Sequence, residues 1–161
     1  MQRSVTVVLM LAALLAVSAV SATGQPTTYV APLSSAEEVP TNDSRARGQA
    51  VFQLSADGTS IDYRLIVANI HNVTQAHIHV APAGANGPVI AWLYPNDPPA
   101  QLIPGRFNGI LAQGTITEGD LVGQFAGDAL SDLVELLEGG QTYVNVHTSQ
   151  FPGGEIRGQI R

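Results

Sequence analysis

At 161 residues without a cysteine, the chain has the length of one domain and must hold its core without disulfides. Seven basic residues, all arginine, face thirteen acidic ones for a net charge of −6. That balance argues against nucleic acid and anionic membrane surfaces, both of which need a basic footprint.

The N-terminus reads as an export signal. Met1-Gln2-Arg3 gives a positively charged start, Val7 to Val20 is almost continuously apolar, and Val20 and Ala22 have the small-residue spacing that signal peptidase reads. Cleavage is expected after Ala22, with Ala19 as the second choice. A transmembrane anchor is disfavoured because the apolar run is short and has no basic flank after it. Without a cysteine a lipid-anchored lipoprotein is excluded. Residues 1–22 are thus taken as the signal and residues 27–161 as one exported domain. No later segment is apolar enough to span a membrane, which places the mature protein in the periplasm or outside the cell.

From Thr27 onward the pattern is mostly β. Tyr29 to Leu33 is a short apolar strand, and Ser34 to Arg47, polar and broken by Pro40, is a surface connection. Gln49–Leu54 and Ser60–Ala68 form a hairpin across Asp57-Gly58, since glycine accepts the positive φ of the turn. Ile61, Tyr63, Leu65 and Val67 alternate with Asp62 and Arg64, so one face is apolar. Gln75–Val80 and Pro88–Tyr94 are strands across a Gly84/Gly87 turn. Trp92 and Tyr94 share a face and read as core ahead of a binding patch. Asn96–Gly105, with three prolines, is a loop, and Gly109–Ile116 returns to strand. Thr117-Glu-Gly-Asp120 has the form of a helix start.

One convincing helix spans Asp128–Glu138. Leu130, Leu133, Val134 and Leu137 recur at i, i+3, i+4 and i+7, Asp128 serves as N-cap, and Gly139-Gly140 ends it. Thr142–Thr148 and Glu155–Arg161 then make a final hairpin around Phe151-Pro-Gly-Gly154. Short strands at close spacing indicate a mainly β fold: an antiparallel sandwich or barrel, immunoglobulin-like or superoxide-dismutase-like, with one short helix near 128–138.

The histidines carry the most chemistry. Side chains alternate faces along a strand, so His77 and His79 share one face. In the last hairpin Tyr143, Asn145 and His147 share a face, opposite Gln159, Arg157 and Glu155 respectively. Two histidines at i, i+2, with a third histidine and a carboxylate, make the imidazole/oxygen set that zinc or copper(II) accepts. The candidate metal set is therefore His77, His79, His147 and Glu155, weighed against plain hydrogen-bonding roles in the sheet. Glu38, Asn145 and Arg157 are candidate binding residues. Asn72-Val73-Thr74 is a glycosylation sequon where export runs through the eukaryotic secretory pathway.

These segments, taken in order, resemble the CHRD domain, a module named for its repeats in chordin and also found alone in secreted proteins. The matching text is Glu38-Val39-Pro40, Gly48-x-Ala50-x-Phe52-x-Leu54-Ser55, Asp57-Gly58-Thr59 and Tyr63-Arg64-Leu65. It continues with Asn72-Val73-Thr74-x-Ala76-His77-Ile78-His79, Gly87-Pro88 and Gly114-x-Ile116-Thr117. It ends with Tyr143-Val144-Asn145-Val146-His147-Thr148 and Pro152-Gly153-Gly154-Glu155-Ile156-Arg157-Gly158-Gln159. The resemblance implies one β-rich extracytoplasmic domain; the growth-factor antagonism of chordin rests on cysteine-rich domains that this chain lacks. His-x-His on a strand is also how copper/zinc superoxide dismutase presents two copper ligands, but a dismutase needs a bridging histidine and a zinc site, and only His71 remains. No complete catalytic constellation is present in the sequence. The leading expectation is a non-catalytic exported domain that binds an extracellular or envelope protein, a surface polymer or a matrix component. The alternative is a copper or zinc protein, with redox activity in prospect.

Overall fold

Backbone hydrogen bonding runs through five strands and closes on itself. The computed structural model describes residues 27–161, so the expected signal at 1–22 lies outside the described residues. In chain order the strands are β1 (Thr28–Ser34), β2 (Arg47–Leu54), β3 (Ile61–Val80), β4 (Val89–Tyr94), β5 (Ile103–Ile116), β6 (Thr142–Thr148) and β7 (Ile156–Gln159), with the helix α1 (Leu130–Glu138) between β5 and β6. The order β2-β1-β7-β6-β3 is continued by a direct β2–β3 pairing, which closes a barrel; β4 and β5 add to β3 from outside that circuit. Every pairing is antiparallel. The expected mainly β sandwich or barrel is what forms.

The apolar alternation seen in the sequence builds the core. Tyr29, Ala31 and Leu33 of β1, Ala50 and Phe52 of β2, and Ile61, Tyr63, Leu65 and Val67 of β3 all point inward. Leu130, Leu133 and Leu137 of α1 pack into the same cluster. The helix begins two residues later than expected. Asp128 is not its cap; the Asp132 carboxylate instead accepts the Ala129 N–H at 3.1 Å, as an acidic N3 residue does in a capping box. Gly140 adopts φ 63° and its N–H donates to the Leu137 carbonyl, ending the helix as read.

The main departure is β3. Two separate strands were expected at Ser60–Ala68 and Gln75–Val80, but one 20-residue strand runs through both. Asn69 (φ 58°) and Asn72 (φ 51°) sit in the left-handed region that asparagine tolerates, and the pairing register shifts around them. These bulges also change which side chains face inward. The buried apolar positions run 61, 63, 65, 67, then 70, 73 and 76, then 78. Three intervals of three residues move the core face from odd to even numbers. His77 and His79, odd-numbered like Leu65 and Val67, are thereby turned to the opposite face of the sheet from Ala76 and Ile78.

Smaller differences have local causes. β5 starts at Ile103, inside the expected loop, because Val73 pairs with Ile103. The connection after β1 is less superficial than expected: a one-turn 3-10 helix (Ser35–Glu37) buries Ser35, and Glu38 beyond it is 5% exposed. Thr117–Asp120 forms a 3-10 turn, with Asp120 accepting the Thr117 N–H at 2.7 Å.

Candidate metal centre

His77 and His79 stand on β3 opposite β6, where the register pairs His77 with Asn145, Gln75 with His147 and His79 with Tyr143. On its other edge His77 pairs with Trp92 of β4. One polar face therefore collects three imidazoles, and both His77 and His147 are buried there. The potential ligand atoms of His77, His79 and His147 lie within 4.8 Å of one another. Two nitrogens bound tetrahedrally to one ion at about 2.1 Å lie about 3.4 Å apart, so ring movements that close the widest pair by about 1.5 Å gather all three.

Hydrogen bonds fix which nitrogen each ring offers. The His147 Nδ1 lies 2.9 Å from the Pro152 carbonyl, and the His79 Nδ1 lies 2.9 Å from the Gly87 carbonyl. A carbonyl only accepts, so both Nδ1 atoms carry hydrogen and both Nε2 atoms present lone pairs. An Nδ1–H held by a backbone carbonyl is the usual support behind a metal-binding Nε2. The His77 Nδ1 lies 3.2 Å from the His147 Nε2. The Nε2 atoms of His77 and His79 are buried without a hydrogen-bond partner.

The surroundings keep the rings neutral. Burial drives His77 down to about 3, helped by His147 and His79, and His79 down to about 4 against the pull of its Gly87 bond. Burial likewise lowers His147. Aromatic walls hold the rings in place: Trp92 meets His77 edge-on at 4.3 Å between centroids, and Tyr143 stacks on His79 at 4.8 Å and 7°. Behind Tyr143 the Arg157 guanidinium lies 3.4 Å from the ring centroid, a cation–π contact.

The other expected residues divide. Arg157 pairs with Asn145 as read from the hairpin, and Gln159 with Tyr143. Arg157 is 2% exposed, and its guanidinium donates to Ala85 O at 2.7 Å and Asn86 Oδ1 at 3.1 Å. Asn145 Nδ2 donates to both Glu38 oxygens at 2.9 and 3.0 Å. Glu155 does not join the histidines. Its oxygens accept from Ser44 Oγ at 2.6 Å and Thr148 Oγ1 at 2.7 Å. In the sequence Trp92 reads as core ahead of a binding patch and Tyr143 as sharing the face of His147, but neither these nor the Gly87 and Pro152 carbonyls belong to the expected metal set. Trp92 and Tyr143 were visible as strand neighbours of the histidines, whereas backbone carbonyls leave no trace in a sequence.

Chemically, three neutral imidazoles on a rigid sheet, two with backbone-anchored Nδ1–H groups, form a nitrogen donor set for a borderline ion such as zinc or copper. Searches of the curated proteins and of the solved structures return no match. No helix among the described residues is long and apolar enough to cross a membrane. The model of the CHRD domain family matches residues 29–160, which takes in every strand of the barrel and all three histidines, and the chain belongs to that family, an extracellular type of β-domain.

Proposed function

We propose that this protein is an exported metal-binding domain that holds one copper or zinc ion on His77, His79 and His147. The convergence of three neutral imidazoles, two buried and one half-buried, carries the reading. The unpartnered Nε2 of His79 in the same cluster supports it, because buried polar atoms ordinarily have partners. Three protein ligands leave a fourth position for water or substrate, as in catalytic zinc sites. Export rests on the expected cleavage after Ala22 and on the extracellular character of the family. The test is metal analysis of the mature protein, purified without a histidine tag, then copper and zinc titration of wild type and His77→Ala. Near-stoichiometric metal that the variant loses is the expected result; unchanged metal content and affinity in the variant would overturn the reading.

A second reading, a non-catalytic domain that binds an extracellular or envelope protein, a polymer or matrix, is favoured by a different surface. Val30 of β1, Ile66 of β3 and Ile110 of β5 are exposed on the outer face of the sheet, and the register pairs Ile66 with Ile110. Exposed apolar side chains grouped on one sheet face mark interaction surfaces. Capture from envelope and matrix fractions, compared between wild type and an Ile66→Asp/Ile110→Asp variant, tests it. Identical capture by both proteins would count against this face.

A further inference from the structure

Outside the histidine cluster, the segment after β1 and the β6–β7 turn enclose a groove of about 360 Å³, lined by Val39, Pro40, Asn86, Phe151 and Pro152 among others. Glu38 is its one ionisable lining residue. Glu38 is almost wholly buried, yet its only hydrogen-bonding side chain is Asn145, whose single Nδ2 serves both oxygens, beside one backbone hydrogen bond from Val39. The nearest guanidinium, that of Arg157, spends its donors on the Ala85 carbonyl and the Asn86 amide oxygen. A carboxylate has about four lone-pair positions, so acceptor capacity remains unused, and a buried carboxylate without a cation is costly.

The turn is shaped around this acid. Gly154 has φ 131°, and a Cβ there would fall within 2.8 Å of both Glu38 oxygens and closer still to Asn145 Nδ2. Only glycine leaves the carboxyl and its amide in place.

We propose that the Glu38 groove binds a primary ammonium group on an alkyl chain, such as a lysine side chain of a partner or a free polyamine. The donor chemistry selects this class. A guanidinium prefers both carboxylate oxygens in a flat fork, and Asn145 already occupies both. A hard divalent ion needs six or more oxygens, and this groove offers one carboxylate. A compact ammonium needs one open lone pair, and its alkyl stem lies along Val39, Pro40 and Phe151. The net charge of −6 draws cations to the protein. Burial lifts the carboxyl to about 7 against the opposing pull of Arg157, as befits an acid that lacks a direct cation.

This site is independent of the metal reading, and one titration separates them. ¹⁵N NMR of the metal-free protein is followed with n-butylammonium and, in parallel, uncharged n-butanol. Expected are shifts at 39–42 and 150–154 with the ammonium alone, at about millimolar affinity for so small a ligand. Glu38→Gln should weaken it at least about tenfold. Spermidine and an acetylated, amidated Gly-Lys-Gly peptide then distinguish a polyamine from a protein lysine. Equal shifts with butanol, or none well above millimolar ammonium, would overturn the proposal on the wild type alone, whether or not the variant folds.

Discussion

The Nδ1 of His77 lies 3.2 Å from the Nε2 of His147. In the metal-free protein that spacing is a hydrogen bond, because the His147 Nδ1–H is committed to Pro152 and its Nε2 can only accept. It is also close to the roughly 3.3 Å that separates two nitrogens bound tetrahedrally to one ion at about 2.0–2.1 Å. An ion held by these two nitrogens would take the place of the shared proton, with His77 carrying its hydrogen on Nε2, and would need little movement of the sheet. Removing either ring takes away a direct ligand. We expect His77→Ala and His147→Ala each to weaken copper or zinc binding by more than about a hundredfold, beyond the range seen when only a supporting residue is lost. Isothermal titration of both variants checks this; affinity within a few-fold of wild type would remove the ring concerned from the site.

The pH dependence of stability follows from the same burial. His77 and His79 titrate near 3 and 4 in the folded protein against 6.5 ordinarily, and His147 is also lowered. Between those values the unfolded chain binds more protons, so the histidine contribution is present above about pH 6.5 and is lost as pH falls towards 4 and 3. Each pH unit in that window removes up to about 1.4 kcal/mol per histidine. Glu38 acts in the opposite sense: raised from 4.5 to about 7, it favours the folded state below 4.5 and loses that contribution as pH rises through 7. Three groups outweigh one, so urea midpoints of the metal-free protein should fall steadily from pH 6.5 to 4. Glu38→Gln, which mimics the protonated acid, should gain on wild type as pH rises from 4.5 to 7. A flat difference between the two proteins across that range would refute the Glu38 assignment.

Arg157 links the sheet to the loop that anchors His79. Its guanidinium reaches Ala85 O and Asn86 Oδ1 while lying over Tyr143, and the same loop supplies the Gly87 carbonyl that holds His79 Nδ1–H. Lysine cannot reproduce a fork that bonds two acceptors and stacks on a ring. Arg157→Lys should cost about 2–3 kcal/mol in urea denaturation and weaken metal binding about tenfold through the loosened loop. Loss of stability with unchanged metal affinity would confine Arg157 to a structural role.

Much of this was legible in the sequence because it depends on alternation and turn chemistry. Asp57-Gly58, the apolar row from Ile61 to Val67 and the leucine stripe of α1 each predict their element, and the offsets in the last hairpin pair Asn145 with Arg157. The shared face of His77 and His79 follows from their spacing alone. What alternation cannot show is where a strand changes phase. The first strand reads as ending at Ala68, whereas the left-handed backbone at Asn69 and Asn72 keeps β3 continuous and shifts its register. Glu155 illustrates another limit: the hairpin offsets put it opposite His147, but the ladder ends at Val146 and Ile156, and Ser44, remote in sequence and near in space, claims its carboxylate.

The bulges thus decide where the histidines point, and this is open to test. Asn72 holds its positive φ while its Oδ1 accepts the Gly105 N–H at 2.8 Å. Asn72→Gly keeps the backbone conformation and loses only an exposed hydrogen bond, so stability should change by no more than about 1 kcal/mol and metal binding should persist. Asn72→Ala must place a Cβ in the left-handed region and should cost about 1–2 kcal/mol more than glycine. Deleting Asn72 removes one of the three offsets between Val67 and Ala76. Either His77 and His79 then turn into the face occupied by Leu65 and Val67, or β3 slips against β6. In both cases copper or zinc binding should be abolished and the urea midpoint should drop sharply. A deletion variant that binds metal with wild-type stability would show that the downstream register is set elsewhere, by the pairing of β3 with β6 and β4 alone.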